Sequence, residues 1–293
     1  MIVVTTPTGQ IGSQLVPHLL AAGERVRVIA RDPAKLSPAI RDKVDVIVGN
    51  ADDPAVVDRA FTGAESVFWV VPPNFRTTDV TAYYLSFTRP AIDAIKKHGV
   101  KRVVSVSSLG RHLGRKAGVI DASHAKDALF ETSGAAFRGL WCPGFMENML
   151  RNVPTLKAQG AFFMAGKPDL AMPHAATRDI AASGARLLLD KTWTGSGGLA
   201  VLGPEDVTLD GMAAIMTDVL GAPIRYQQVP AAAVREAMMS HGASAAMADG
   251  LIEMTAAIDQ GLYNAERRTP ETTTPTSFRQ WCTEVLKPAF LAT

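Results

Sequence analysis

The sequence predicts an α/β fold: a doubly wound parallel sheet followed by a smaller, mostly helical lobe. Three observations carry this. The chain begins with an apolar run, Met1 to Val4, then a turn with Pro7 and Gly9, then apolar residues Ile11, Leu15, Leu19 and Ala22 at helical spacing. Strand-like and helix-like stretches then alternate as far as Ser108. Each strand-like run ends in small, polar or proline residues, the pattern of strand ends that converge on one crevice.

Taken in order, the first helix stops at Ala22-Gly23, and Pro17 within it is locally unfavourable because it removes a backbone donor. Arg25 to Ala30 reads as the second strand and Val44 to Asn50 as the third. Asp53 is placed to cap a helix that begins at Pro54 and runs to Phe61. Ser66 to Val71 is a fourth strand ending at Pro72-Pro73, and a long helix spans about Val80 to His98, stopping at Gly99. Lys101 to Ser108 is the fifth strand. A helix from about Arg178 to Asp190 is expected to pack back on the sheet, and Gly195-Ser196-Gly197-Gly198 reads as a flexible turn between lobes. Further helices are expected over Leu209–Gly221, Ala231–Gly242, Ser244–Gly261 and Ser277–Leu286.

At 293 residues, 47% hydrophobic and 20% charged, the chain has the make-up of a soluble globular protein. A net charge of +2 without a basic run gives no reason to expect a nucleic-acid partner. No apolar run is long enough to span a membrane, and no signal peptide precedes the first strand. Cys142 and Cys282 form no metal or redox motif and fit reduced thiols in a cytoplasmic protein, with a single distant disulfide as the alternative. The six histidines are scattered without ligand spacing, so no metal is expected.

Strand, glycine turn and helix together form an anion site, because unpaired N–H groups at the helix start face a phosphate. Thr6, Thr8, Gly9, Gln10, Ile11 and Gly12 are therefore candidate dinucleotide contacts, though only two glycines of a three-glycine fingerprint stand here. About 20 residues beyond Gly12, after the second strand, Arg31 occupies the place where an acidic residue would select NAD. A guanidinium there pairs with the 2′-phosphate of NADP, while Asp32 keeps NAD(H) as the alternative. Asn50, Ala51, Asp52, Val71, Pro72 and Ser105 to Ser108 complete the same crevice.

The segments Val3 to Gly12, Val28 to Pro33, Gly49 to Pro54, Gly99 to Ser108, Ser133-Gly134, Pro143 to Asn148, Arg178 to Ala181 and Leu202 to Glu205 follow one another in a characteristic order. In that order and spacing the chain resembles the NmrA-like group of atypical short-chain dehydrogenases/reductases. The resemblance implies a Rossmann-type domain over residues 1–150, with 174–203 returning to the sheet. It also implies a substrate-binding lobe made of 151–173 and 204–293, in which 202–205 looks like the opening strand. Pro143-Gly144-Phe145 is then the loop that closes over the nicotinamide, and Lys126 stands where relatives place a catalytic or cofactor-binding lysine.

The departures are specific. Thr6 stands where relatives have Gly, so either the turn avoids a positive φ or the pyrophosphate sits differently. No tyrosine has a lysine four residues on, so the proton relay used in alcohol dehydrogenation is absent. The candidates for chemistry are Lys126, His124 and Ser107, with the proton coming from solvent or from His124 or Lys126. Met149, Phe162, Phe163, Met164 and Met172 suit either a planar acceptor or plain packing. The expected function is NADPH-dependent reduction of a small quinone-, dye-, imine- or enone-like acceptor. The alternative is a redox-sensing regulator that binds the dinucleotide and acts through a protein partner. A homo-oligomer is compatible with either.

Overall fold

Seven parallel strands form the central sheet of the computed structural model, which describes residues 1–292. In chain order the strands are β1 (Ile2–Thr5), β2 (Val26–Ala30), β3 (Asp45–Val48), β4 (Ser66–Trp69), β5 (Arg102–Ser108), β6 (Ala136–Cys142), β7 (Gly144–Phe145), β8 (Ala161–Met164), β9 (Met172–Ala175), β10 (Ser196–Ala200), β11 (Asp206–Val207) and β12 (Arg225–Gln228). The helices are α1 (Gly12–Ala21), α2 (Pro38–Arg41), α3 (Pro54–Phe61), α4 (Val80–His98), α5 (Val119–Glu131), α6 (Val153–Gln159), α7 (Thr177–Leu189), α8 (Leu209–Leu220), α9 (Ala231–Ser240), α10 (Ala245–Asp259), α11 (Phe278–Trp281) and α12 (Lys287–Leu291).

The central order is β10-β6-β5-β4-β1-β2-β3, so the winding reverses between β1 and β4, where ligands of such sheets bind. Alternate residues of each strand face opposite layers. Val4, Phe68, Val104 and Leu140 pack under α1 and α7, against Leu15, Val16, Leu19, Ile180 and Leu188. Val3, Val67, Trp69, Val103 and Phe137 pack under α3, α4 and α5. Trp69 anchors that second layer: the rings of Phe61, Phe87 and Phe130 meet it at 6.3, 5.7 and 6.0 Å. Full burial of each such side chain contributes roughly 1.5–3 kcal/mol. Helix α1 continues through Pro17, whose ring is exposed, and Asp53 accepts from the N–H groups of Ala55 and Val56 to start α3.

Two expectations need correction. Ser196–Ala200 is no flexible turn but the edge strand β10, paired in parallel with β6 from Ser196↔Phe137 to Ala200↔Trp141. The reason is Trp141: a Cβ on Gly198 would lie 2.0 Å from the indole, so the glycines make room for an aromatic ring and do not mark a break in the sheet. The opening strand expected at 202–205 is displaced to Asp206–Val207, antiparallel to β9, while Leu202 bridges to Thr273.

The C-terminal helices bury Met212, Met216, Phe278, Trp281 and Leu286 with Met146, Met149 and Phe162. Two buried carboxylates tie this core to the sheet domain. Glu147 accepts from Thr177 N–H and Trp281 Nε1–H, at 3.0 and 3.1 Å. Asp179 accepts from the backbone N–H and hydroxyl of Thr276, both at 3.0 Å. Replacing Asp179→Ala leaves those buried donors unpaired and is expected to destabilise the protein by about 1–3 kcal/mol. Urea unfolding followed by tryptophan fluorescence measures this; an unchanged midpoint would mean that the contact holds nothing.

Candidate functional site at the strand ends

The crevice is built first by Thr5. Its hydroxyl donates to Phe68 O at 3.2 Å and accepts from Val70 N–H at 2.9 Å, joining the ends of β1 and β4. The next residue does not avoid the left-handed region: Thr6 has φ 50°, the one positive φ outside glycine among the described residues. A β-branched residue there is strained by about 1–2 kcal/mol, and such strain gathers at binding sites. The twist turns Thr6 O inward, where it accepts from Gly9 N–H at 3.0 Å. It also lies 2.3 Å from where a Cβ on Gly12 would be, so α1 can approach only because residue 12 has none. Ile11 stands at the N-cap of α1 and makes no side-chain capping bond, and among the described residues the N–H groups of Gln10, Ile11 and Gly12 have no backbone acceptor. Thr8 and Gln10 are exposed beside them. Open N–H groups at a helix start are an anion cradle.

The strand ends beyond β1 form the next wall. Arg31 is exposed and enters none of the ion pairs of the described residues. Asp32 is engaged elsewhere, accepting from Ala34 N–H at 3.0 Å to cap the short turn Pro33–Lys35. Asn50 and Asp52 are exposed and Ala51 is half-buried. Across from them Val71 is buried, and Pro72 O accepts from the Tyr83 hydroxyl at 2.8 Å. The Tyr83 phenol is pushed above its ordinary range, first by burial and then by the Asp52 charge, with Arg31 opposing. Tyr83 thus lies within reach of the Arg31 and Asp52 charges. Sequence reasoning missed it; the available signal was an aromatic residue in the first turn of the helix that follows Pro72-Pro73.

At the β5 and β6 ends the predicted residues separate. Ser105 lies inside β5, fully enclosed, and its hydroxyl accepts from Lys126 Nζ at 2.5 Å. Lys126 is 1% exposed; it also donates to Val106 O at 2.8 Å and pairs with Asp127 at 2.8 Å. The expectation that Lys126 and Ser105 contact the dinucleotide does not fit this enclosure: α5 turns that face toward the strand, away from the crevice. Ser107 donates to Asp127 and accepts from Ser123 at 3.4 Å, so it belongs to the same chain of bonds. His124 lies nearer the crevice, with Nε2 3.1 Å from Ser108 O. Burial lowers its pKa despite that bond, so the ring is neutral at neutral pH. Cys142 is a free buried thiol whose pKa burial pushes well up, which rules out a thiolate nucleophile.

Pro143 is buried, and Gly144 and Phe145 are half-buried, forming β7 against β9 in the register Gly144↔His174. His174 is 8% exposed and its Nδ1 has no hydrogen-bond partner among the described residues. Of the apolar residues with two open readings, Met149 and Phe162 are core and Met164 is exposed. Two surface grooves, of about 340 and 540 Å³, lie between α3 and α4 and at the entries to β5 and β6, away from this crevice.

Residues 7–152 match the family model described as NAD(P)H-binding. The chain therefore carries an NAD(P)H-binding domain, and its structural neighbours are of the NmrA-like, atypical short-chain dehydrogenase/reductase type. It is 27% identical over 263 residues to NAD(P)H azoreductase of Xenophilus azovorans, covering 87% of this chain and 86% of that protein. It is 26% identical to quinone oxidoreductase 2 of Escherichia coli, covering 89% and 87%. The solved structure of that E. coli quinone oxidoreductase with NADPH superposes with a TM-score of 0.80 at 24% identity, over 98% of this chain and 99% of that one. Among the described residues no helix is long and apolar enough to cross a membrane.

Acid sensitivity follows from His174. Burial holds its pKa down to about 4 from 6.5, with the bond to the Met172 backbone and the Asp206 charge opposing. The unfolded chain therefore binds this proton first as pH falls. Stability from the neutral ring is present above pH 6.5 and is lost between 6.5 and about 4, by on the order of 3 kcal/mol. Chemical denaturation at pH 7 and pH 5 should show this loss, and His174→Gln should flatten it; equal slopes in the two proteins would remove His174 as the cause.

Proposed function

We propose that the chain is a reductase that uses NADPH in preference to NADH and acts on a small conjugated or aromatic acceptor of the quinone or dye type. The observation that carries it is the convergence of an open N–H cradle at Gln10 to Gly12 with an unpaired, exposed Arg31, while Asp32 is bound to its own turn. The residues fit the dinucleotide. The cradle takes the pyrophosphate, and Arg31 takes the 2′-phosphate with Tyr83, Asn50 and Ala51 around it. When bound, the dinucleotide supplies hydride to the acceptor.

The chain's own part is to bind, orient and exclude water. Pro143-Gly144-Phe145 offers a glycine for close approach and a flat ring, and β9 backs it through His174. The Lys126–Asp127 pair holds α5 on β5 and thereby fixes Ser107, Ser108 and His124. An acceptor whose product anion takes its proton from water suits this site, because no tyrosine–lysine pair stands on α5. The names of the azoreductase and quinone oxidoreductase relatives support this class of acceptor. Residues 1–150 with 174–203 form the dinucleotide side; 151–173 and 204–293 form the acceptor side. Two free buried thiols suit a reducing compartment, and we place the protein in the cytoplasm.

A second reading is favoured by the enclosure of Lys126 and the neutral His124: a regulator that binds the dinucleotide without turning it over and signals to a protein partner. NADPH oxidation measured with a panel of benzoquinones, naphthoquinones, azo dyes and enones separates the two. Turnover is expected with at least one class, whereas NADPH binding with none would sink the reductase. Arg31→Ala is expected to weaken NADPH binding ten- to hundredfold and NADH little, as loss of a charged hydrogen-bonded pair would. Equal weakening, measured by fluorescence titration, would overturn the NADPH preference.

A further inference from the structure

Two segments that leave the strand ends meet through an aromatic ring and an arginine, and no step above uses either. Phe75 lies between β4 and α4, just beyond Pro72-Pro73, and is 36% exposed. Arg151 lies in the 3-10 helix Met146–Asn152, which follows directly on Phe145, and it too is exposed. The Arg151 guanidinium carbon stands 5.8 Å from the centre of the Phe75 ring. The backbone fixes that ring. Asn74 Oδ1 accepts from Arg76 N–H at 3.0 Å, and Phe75 O accepts from Ser244 N–H at 2.8 Å. Ser244 is the cap of α10, accepting from Met247 N–H at 3.1 Å, and its hydroxyl donates to Thr77 O. The end of β4, the segment after the loop assigned to the nicotinamide, and the lobe assigned to the acceptor therefore converge on one exposed ring. Arg151 enters none of the ion pairs of the described residues, nor does Arg76 beside Phe75. The carboxylates of the same two segments are engaged elsewhere: Glu147 by Thr177 and Trp281, and Asp79 by Ala82 N–H.

We propose that Phe75 and Arg151 select an acceptor that carries an anionic substituent: its flat ring lies on Phe75, and the Arg151 guanidinium takes a sulfonate or carboxylate beside it. This rests on the reductase reading and narrows the acceptor within it. A guanidinium 5.8 Å from a ring is at the outer limit of a cation–π pair, about 6 Å. The ring therefore orients the side chain without occupying its N–H donors. Those donors form a rigid fork that matches two oxygens of a sulfonate or carboxylate. An exposed phenylalanine adds a surface for offset stacking of a second ring. Ring and fork held side by side suit a planar anion; a neutral ring or an aliphatic acid meets only one of the two. With NADPH bound, the cradle at Gln10 to Gly12 and Arg31 are filled by its phosphates, so the acceptor's own anion meets Arg151. The pair acts on binding and adds no covalent step.

The test uses the full chain saturated with NADP+ and two unreactive probes of one shape, naphthalene-2-sulfonate and its neutral amide, titrated by calorimetry. The sulfonate is expected to bind about tenfold tighter than the amide, as a charge-assisted pair gives. Arg151→Gln should remove that difference, and Arg151→Lys, which keeps the charge but not the fork, should retain part of it. Phe75→Leu should weaken both probes about fivefold. Equal affinities in the wild type, or an undiminished difference in Arg151→Gln, overturn the proposal whatever the turnover. Unchanged binding of the amide in Phe75→Leu overturns the part given to the ring. In turnover, the ratio of kcat/KM for 1,4-naphthoquinone-2-sulfonate to that for 1,4-naphthoquinone should fall about tenfold in Arg151→Gln, through KM. An equal fall in kcat for both quinones would make Arg151 a structural residue and overturn its role. A probe difference that depends on Arg151 in a protein that reduces no quinone keeps the anion site and sinks the reductase reading instead.

Discussion

The close approach of the Thr6 carbonyl to Gly12 is the constraint on which the rest of the molecule depends. With φ 50° at Thr6 the chain turns sharply at the end of β1, and α1 begins almost in contact with that turn. Any side chain at position 12 would push α1 off the sheet. Because α1 starts so close to the strand end, the N–H groups of Gln10 to Gly12 open onto the crevice, and Leu15, Val16 and Leu19 reach the sheet face. The strain at Thr6, about 1–2 kcal/mol, is offset by the Thr5 clamp to β4 and by the layer that α1 and α7 bury together. Anion cradle and core are two consequences of one backbone conformation.

A second fixed point lies beside it. The Lys126–Asp127 pair, sealed between α5 and β5, is linked through Ser105 on one side and Ser107 and Ser123 on the other. A buried ion pair is a weak source of net stability, but removing one member leaves an uncompensated charge and costs about 3–5 kcal/mol. Its effect is positional: it sets the register of α5 on β5, so that His124 meets Ser108 at the strand end and Lys126 does not. The end of β5 beside His124 is thereby lined by neutral groups, with the Lys126 and Asp127 charges enclosed behind it.

Much of the framework was legible in the sequence. The bounds of α4 and the Asp53 cap of α3 follow directly from turn and capping chemistry, and Arg31 is where the spacing from Gly12 puts it. What misled were residues whose meaning depends on a distant neighbour. Gly195 to Gly198 has the composition of a linker, yet it is a strand because Trp141, more than fifty residues earlier, needs the space. Lys126 has the position of a cofactor ligand, but one helical turn decides whether its ammonium faces the crevice or the strand. Tyr83 and His174 carry no local motif and become visible only when Pro72 and Gly144 stand beside them.

By itself the sequence determined the alternation of strands and helices, the glycine turn and the charge at the end of β2. These depend on hydrophobic period and on residues within a turn of one another, which act before the chain has folded. Only the tertiary structure decided which side chains reach the crevice. That outcome depends on the rotation of α5 against β5 and on the docking of the helical lobe through Glu147 and Asp179. Such contacts join residues up to 134 positions apart, and no local pattern records them. The physical reason is packing: a helix presents whichever face its buried partners require, and the remaining face is what a ligand meets.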